Sequence, residues 1–482
     1  VYKRQTKFAP GKQWGYFPAG SIAWRISNEK WMKPIKFISD LKLRASYGFA
    51  GNNRIGNDLW HNIYRVYSGT SAPAFGNEEY NYYQFADQTY LYDPDLKWET
   101  TITRNIGLDF GFFRNRLSGT VDVYWNTTKD LLVPSIIPNS SGYSRQMTNV
   151  GQTSNKGVEI SLDAKIIQTK DFQLSANFNV AFNKNKVDKL ATGETEWKTK
   201  ASLSNWYGTY NYKMEVGKSM GLIYGFVNDG FYKVDDFDFD ATTKKWTLKP
   251  GIPDNSSFSS GNFAFKPGAM KFKKLSDSES NLITEDDMMV IGDTNPKVTG
   301  GFGLSGNWKN LDFTAFFNYM CDFDVLNVNK LYLHSAVRRN YSNLSTDMNL
   351  ANRFRYVDDA GVNVSSDPVA LAALNENAKT YSWMSVTQGI TMTDLVEDGS
   401  FLRLSTLTVG YTLPKHWLRS LGVKSLRLYF SGSNLFTITG YSGYDPEVNI
   451  QKGLTPGIDN NVTPRSRVYT CLLYTSPSPR DY

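Results

Sequence analysis

Long stretches of the chain alternate strictly between apolar and polar residues, the period of a β-strand with one buried face. In 171–183, Phe172, Leu174, Ala176, Phe178, Val180 and Phe182 point one way, and Gln173, Ser175, Asn177, Asn179 and Asn183 the other. The run 116–126 sets Leu117, Gly119, Val121, Val123 and Trp125 against Ser118, Thr120, Asp122, Tyr124 and Asn126. The run 158–166 sets Val158, Ile160, Leu162, Ala164 and Ile166 against Glu159, Ser161, Asp163 and Lys165. Similar runs fall near 14–26, 40–50, 98–112, 298–308, 310–320, 401–411 and 425–437, and a last one begins near 465, which makes eleven predicted strands.

The connections sort into two kinds. Tight ones fall at Arg114-Asn115, Gln168-Thr169-Lys170 and Lys309-Asn310, and moderate ones at 27–39 and 412–424. Between them lie long segments at 51–97, 127–155, 184–297, 321–400 and 438–464. Short and long alternate, as in a transmembrane barrel with periplasmic turns on one side and extracellular loops on the other. A soluble β-sandwich also alternates, but its strands run to about 5–6 residues and its loops scatter over both ends. Runs of ten or more residues suit a tilted bilayer crossing, which takes about 9–11.

Composition narrows this further. Aromatics at 15% and 38 glycines among 482 residues favour sheets and turns. Only 40% of the chain is hydrophobic, and no apolar run approaches the roughly 20 residues of a spanning helix, so a helical membrane protein is excluded. The net charge of +7 is spread along the chain, which reads as a solvated surface and not as a nucleic-acid footprint. Cys321 and Cys471 lack metal-ligand spacing, and a disulfide scaffold needs more than two.

Eleven strands in hydrocarbon leave two edges of unpaired backbone groups. Closing a barrel of about 22 strands, with a plugged lumen, takes as many again. Without a start Met or export signal, the expectation is a fragment that lacks its N-terminal signal peptide and plug. Residues 1–5 and 471–482 resemble translated sequencing-adapter read-through, which leaves 6–470 as barrel.

Catalytic patterns are missing. Gly301-x-Gly303-x-x-Gly306 matches a dinucleotide string, but a turn and a second strand follow where a helix is needed, so it reads as small residues along a strand. His61, His334 and His416 are too dispersed for a zinc motif. Glu397 and Asp398 are neighbours in a strand and point to opposite faces, unlike paired glycosidase carboxylates. No Gly-x-Ser-x-Gly elbow occurs. The expectation is a non-enzyme without cofactor or metal. Aromatics crowd two long loops: Trp60, Tyr64, Tyr67, Tyr80, Tyr82, Tyr83, Phe85 and Tyr90 in one, and Trp206, Tyr207, Tyr210 and Tyr212 in the other. They suit either stacking on a ligand or packing within their own loops.

Several segments, in order, resemble the SusC/RagA-type TonB-dependent transporters. Trp14-Gly15-Tyr16-Phe17-Pro18 with Ala23-Trp24-Arg25-Ile26-Ser27, then Asp40 through Gly48, come first. Asn149-Val150-Gly151, Asn155-Lys156-Gly157-Val158-Glu159 and Gly292-Asp293-Thr294-Asn295-Pro296-Lys297 follow. The most specific are Val396-Glu397-Asp398-Gly399-Ser400-Phe401-Leu402-Arg403-Leu404, Gly410-Tyr411-Thr412-Leu413-Pro414, Ser433-Asn434-Leu435-Phe436 and Gly443-Tyr444-Asp445-Pro446-Glu447. The resemblance implies an all-β fold, the C-terminal half of a 22-stranded antiparallel barrel in the cell outer membrane, in contact with its lipid. It also implies a plug with a TonB box that engages the TonB complex, a SusD-like surface lipoprotein as lid, and a glycan or peptide as cargo. One stretch departs from the pattern: where relatives often carry a calcium-type loop, Ser276–Asp287 lacks the turn glycine and the carboxylate spacing, and reads as a solvated acidic loop. The rival reading is an extracellular carbohydrate-binding β-sandwich or adhesin.

Overall fold

The computed structural model describes residues 2–477 apart from 5, 62–63, 68–82, 87–89, 144, 192, 202, 204–209, 259–264, 336–342, 385–388, 419–422 and 448–452. Its centre is one sheet of eleven strands. They are β1 (Ala19–Arg25), β2 (Ile38–Asn52), β3 (Glu99–Phe112), β4 (Leu117–Lys129), β5 (Gln152–Gln168) and β6 (Phe172–Lys189). Then come β7 (Val298–Trp308), β8 (Leu311–Cys321), β9 (Phe401–Thr412), β10 (Val423–Thr439) and β11 (Val468–Pro477). Each strand pairs antiparallel with its neighbours in chain order, an uninterrupted meander.

All eleven predicted runs appear in this sheet, with shifted ends. The run 14–26 breaks at Pro18, which has no N–H for the ladder. Trp14–Tyr16 pairs instead with Tyr2–Arg4, inside the segment 1–5 set aside above. At the other end the ladder passes residue 470 and reaches Pro477, opposite Val423. There the alternation lapses: Leu472 and Leu473 sit on opposite faces and are 49% and 56% exposed. β5 and β6 are also longer than their apolar runs, because backbone pairing continues through the polar rungs up to Gln152 and Lys189.

The register aligns like with like. One rung runs Trp24, Leu43, Leu108, Val121, Ile160, Val180 across β1 to β6, and continues to Gly300 and Tyr319. The adjacent rung, on the opposite face, holds Arg44, Gly107, Asp122 and Glu159. Among the described residues the apolar face has no protein cover: Ile22 is 77% exposed, Phe182 46% and Leu304 42%. On β6, every second residue from Phe172 to Phe182 is apolar, which matches the crossing length of a membrane strand. This face is the lipid-facing wall, and the polar face lines the interior.

The hydrophobic core lies elsewhere. Its largest cluster is built from the connections 190–297, 322–400 and 440–467, with Tyr212, Ile223, Phe226, Phe272, Ile283, Leu326, Leu331, Met392 and Ile458 all nearly inaccessible. A second cluster, with Phe8, Phe17, Leu96 and Trp98, packs at the same end of β1 to β3. The long connections therefore form a packed layer over one end of the sheet. The opposite end carries the shorter connections: the moderate ones after β1 and after β9, and tight turns such as Lys309-Asn310, where Lys309 takes φ 55° between paired Trp308 and Leu311.

Candidate functional site: the inner wall and the loop layer

The inner wall is held by charge. Arg44 on β2 donates to Asp109 on β3 at 2.8 Å and to Asp122 on β4 at 2.9 Å, and Lys42 lies 3.2 Å from Asp109. To reach Asp122 the guanidinium crosses β3 at Gly107, where a Cβ would lie 2.7 Å from Arg44 Cζ and 2.6 Å from the carboxylate. The device recurs near the short turns: Arg427 on β10 bonds Asp312 on β8 across Gly410 on β9. In both cases the middle strand needs a residue without a side chain. The string Gly301, Gly303, Gly306 lies wholly on β7, with Phe316 and Phe313 from β8 where side chains would be. It is the strand reading, with no helix after it.

Where the inner wall meets the loop layer, separated segments converge. Arg403 of β9 is 2% exposed, beside a bulge in the β9–β10 ladder. Its guanidinium lies 2.5 Å from Asp445 and 3.3 Å from Glu447, and Arg465 reaches Glu447 at 3.0 Å. Burial alone would raise the Asp445 carboxyl. Bonds from the Arg403 side chain and from the Glu447 and Arg465 amides outweigh it and hold the group below the usual carboxylate range. Glu397 accepts from the Ser442 amide and hydroxyl at 2.9 Å each and lies 3.2 Å from Lys330. Asp398 turns away to accept from Ser400. The two carboxylates thus have separate partners, as expected for opposite faces of a strand.

The Gly292–Lys297 segment makes a third junction. Thr294 donates to Gly221 O at 2.9 Å and packs against Gly457, two glycines at φ 78° and 70° whose Cβ atoms would clash with it. Close by, the Tyr212 hydroxyl donates to Pro456 O at 2.6 Å. The Asn149 amide bonds both backbone groups of Lys97 at 2.8 Å.

The acidic loop 276–287 is largely solvated, except that Ile283 enters the main cluster and Asp287 is enclosed. Asp287 is fully buried and accepts from the amides of Leu275, Ser276 and Thr284, from the Ser276 hydroxyl and from Lys274 Nζ at 2.8–3.1 Å. Burial opposes the charge, but this set of donors prevails and brings the carboxyl down to about 2. Among the described residues no group of His, Cys, Asp and Glu is arranged to hold a metal. His334 has a carboxylate partner that its sequence neighbours do not reveal, Asp347 at 2.9 Å, while burial lowers its own pKa.

Of the loop aromatics, Tyr212 is buried in the main cluster and Tyr90 packs on the second. Tyr80, Tyr82, Trp206 and Tyr207 lie outside the described residues. Beneath the layer, at the top of the inner wall, sits an apolar cavity of about 100 Å³ lined by Thr153, Val187, Trp197, Met214, Met220 and Leu454. The arrangement sets a charged inner wall and an apolar niche beneath a packed layer of loops.

A meandering sheet with an apolar outer wall, a charged inner wall and packed loops at one end defines a membrane β-barrel wall. The family profile described as "TonB dependent receptor-like, beta-barrel" matches residues 2–435, and the chain belongs to that family of outer-membrane proteins. TonB-dependent receptor P3 of Formosa agariphila is 31% identical over 471 residues, covering 96% of this chain and 42% of that protein. TonB-dependent receptor SusC of Bacteroides thetaiotaomicron is 29% identical, covering 96% and 40%. Among solved structures, one titled as the RagAB peptide transporter superposes with TM-score 0.72 at 25% identity, covering 98% of this chain and 44% of the other. The chain thus spans about two fifths of the length of these relatives. They are receptors and transporters by name, not enzymes.

Proposed function

We propose that this chain is the C-terminal half of a 22-stranded barrel in a SusC/RagA-type, TonB-driven importer. The observation that carries the reading is the open eleven-stranded sheet, lipid-facing outside and charged inside, with matching relatives more than twice its length. Two free edges in a bilayer demand further strands. In this reading an N-terminal plug fills the lumen, the TonB complex pulls on it, and a SusD-like lipoprotein closes over the loop layer. The barrel supplies shape and polarity and makes or breaks no bond.

The cargo proposed is an oligosaccharide. A peptide is the second reading, favoured by the RagAB structures titled as a peptide transporter. Residues 1–5 and 471–482 are taken as foreign to the parent. For the C-terminal segment the lapse of alternation at Leu472 and Leu473 supports this, since a ladder pairs backbone and accepts any sequence.

Uptake tests the reading. Cells with the parent gene deleted and restored are given labelled oligosaccharides and labelled peptides, with and without the proton-motive force. Energy-dependent accumulation that follows the gene supports an importer, and the label that accumulates identifies the cargo. Equal accumulation with and without the gene for both labels overturns it.

A further inference from the structure

The lipid-facing wall is not uniformly apolar. One rung above the belt, at the loop end, five adjacent strands place Tyr47, Arg104, Trp125, Lys156 and Lys184 in a row on the outer face. Directly beneath lie Ala45, Ile106, Val123, Val158 and Phe182. Lys156 and Lys184 are cross-strand partners, both exposed, and neither makes an ion pair among the described residues. Two like charges facing each other cost stability unless an anion joins them.

Arg104 is already oriented. Its guanidinium stacks 5.7 Å over Tyr47 and donates to Trp125 O and Thr127 Oγ1 at 3.3 Å, which leaves part of its fork open. The nearby acids have other partners. Asp188, higher on the same face, accepts from Gln152 and Ser154, and Asp322 pairs with Lys297 at 2.7 Å.

We infer that this row is a binding site for a phosphorylated lipid of the extracellular leaflet. Its phosphate would sit between Arg104, Lys156 and Lys184, and an acyl chain would run down over Val123, Val158 and Phe182. Free phosphate would have no use for the apolar floor. A neutral lipid would leave the lysine pair uncompensated. Aromatic side chains at the level of the headgroups complete the geometry of a membrane interface. The inference rests on membrane placement and is independent of the cargo.

The test uses the full-length protein purified from outer membranes in mild detergent, with bound lipid read by native mass spectrometry. Wild type is expected to retain a bisphosphorylated lipid A-type probe and to lose it when the probe is dephosphorylated. Arg104→Gln/Lys156→Gln/Lys184→Gln should weaken retention on the order of 100-fold, since each interfacial charge contributes close to fivefold. Lys156→Arg/Lys184→Arg should restore it. A heat-dependent gel shift, unchanged in all variants, confirms folding. Equal retention by the triple variant, or equal retention of the dephosphorylated probe, overturns the site. So does a triple variant that loses a self-association band while keeping its lipid, which would assign the row to a second copy of the chain.

Discussion

The sheet and the loop layer solve the same problem in opposite ways. The sheet turns Ile22, Phe178, Phe182 and Leu304 outward and has no core of its own, because the bilayer supplies the apolar phase. The loop layer stands in water and buries Phe226, Phe272, Leu326 and Met392 as a soluble domain does. Polar contacts follow the same split. On the inner wall, ion pairs such as Arg44–Asp122 keep partial contact with solvent. At the rim, Arg403 and Asp445 are almost wholly enclosed. The same residue type is therefore a modest contributor in one place and a requirement in the other.

Substitutions can break this contrast. The largest effect is expected for Arg403→Ala, which leaves Asp445 buried without its partner and costs about 3–5 kcal/mol. Thermal unfolding of the barrel should show it, and an unchanged melting temperature would mean that water reaches the rim. Next comes Ile160→Arg, at the middle of the outer wall, with an expected cost of about 2–4 kcal/mol. Ser161→Arg, one residue along and facing inward, should be nearly neutral. If the two behave alike, the assignment of faces is wrong.

Asp287→Ala removes the acceptor of five donor groups and should cost about 1–3 kcal/mol, read as faster proteolysis within 275–287 while the sheet stays intact. The Asp287 carboxyl lies lower in the folded state than in the unfolded chain, at about 2 against 3.8. Its stabilisation is therefore complete above about pH 4 and is lost as the pH falls towards 2. Because Lys274 and backbone amides occupy the carboxylate, calcium or a chelator should leave this loop's proteolysis unchanged. The smallest effect belongs to Gly107→Ala, which separates Arg44 from Asp122 on the partly solvated wall and should cost under about 1 kcal/mol.

The sheet was legible because period-two alternation survives wherever one face meets lipid, and Phe172 to Phe182 is the clearest case. Its ends were less legible: the ladder from Lys184 to Lys189 pairs through backbone, which leaves no apolar mark. The loop core was not legible, since Ile283 and Met392 come from irregular segments and Leu326 from a strand of four residues, too short to show a period. The rim network was visible only in part. Phe401-Leu402-Arg403 and Tyr444-Asp445-Pro446-Glu447 stood out as motifs, but their meeting across about forty residues depends on the course of β10 and its loop. An Arg between large apolar residues in a strand was the available signal. Tyr212 stood among loop aromatics suited either to stacking on a ligand or to packing, and it packs, against its own connection together with two others.

The three junctions at the rim also bear on engineering. Thr294 fits between Gly221 and Gly457 beside the Tyr212–Pro456 bond, Glu397 holds Ser442, and Arg403 grips Asp445. Connections 190–297, 322–400 and 440–467 therefore share one interior, and none is a detachable module. Grafting a single loop from a relative to change cargo would import half of each contact and leave its mate behind. The smallest transplantable unit is the trio together with the strand ends that carry it.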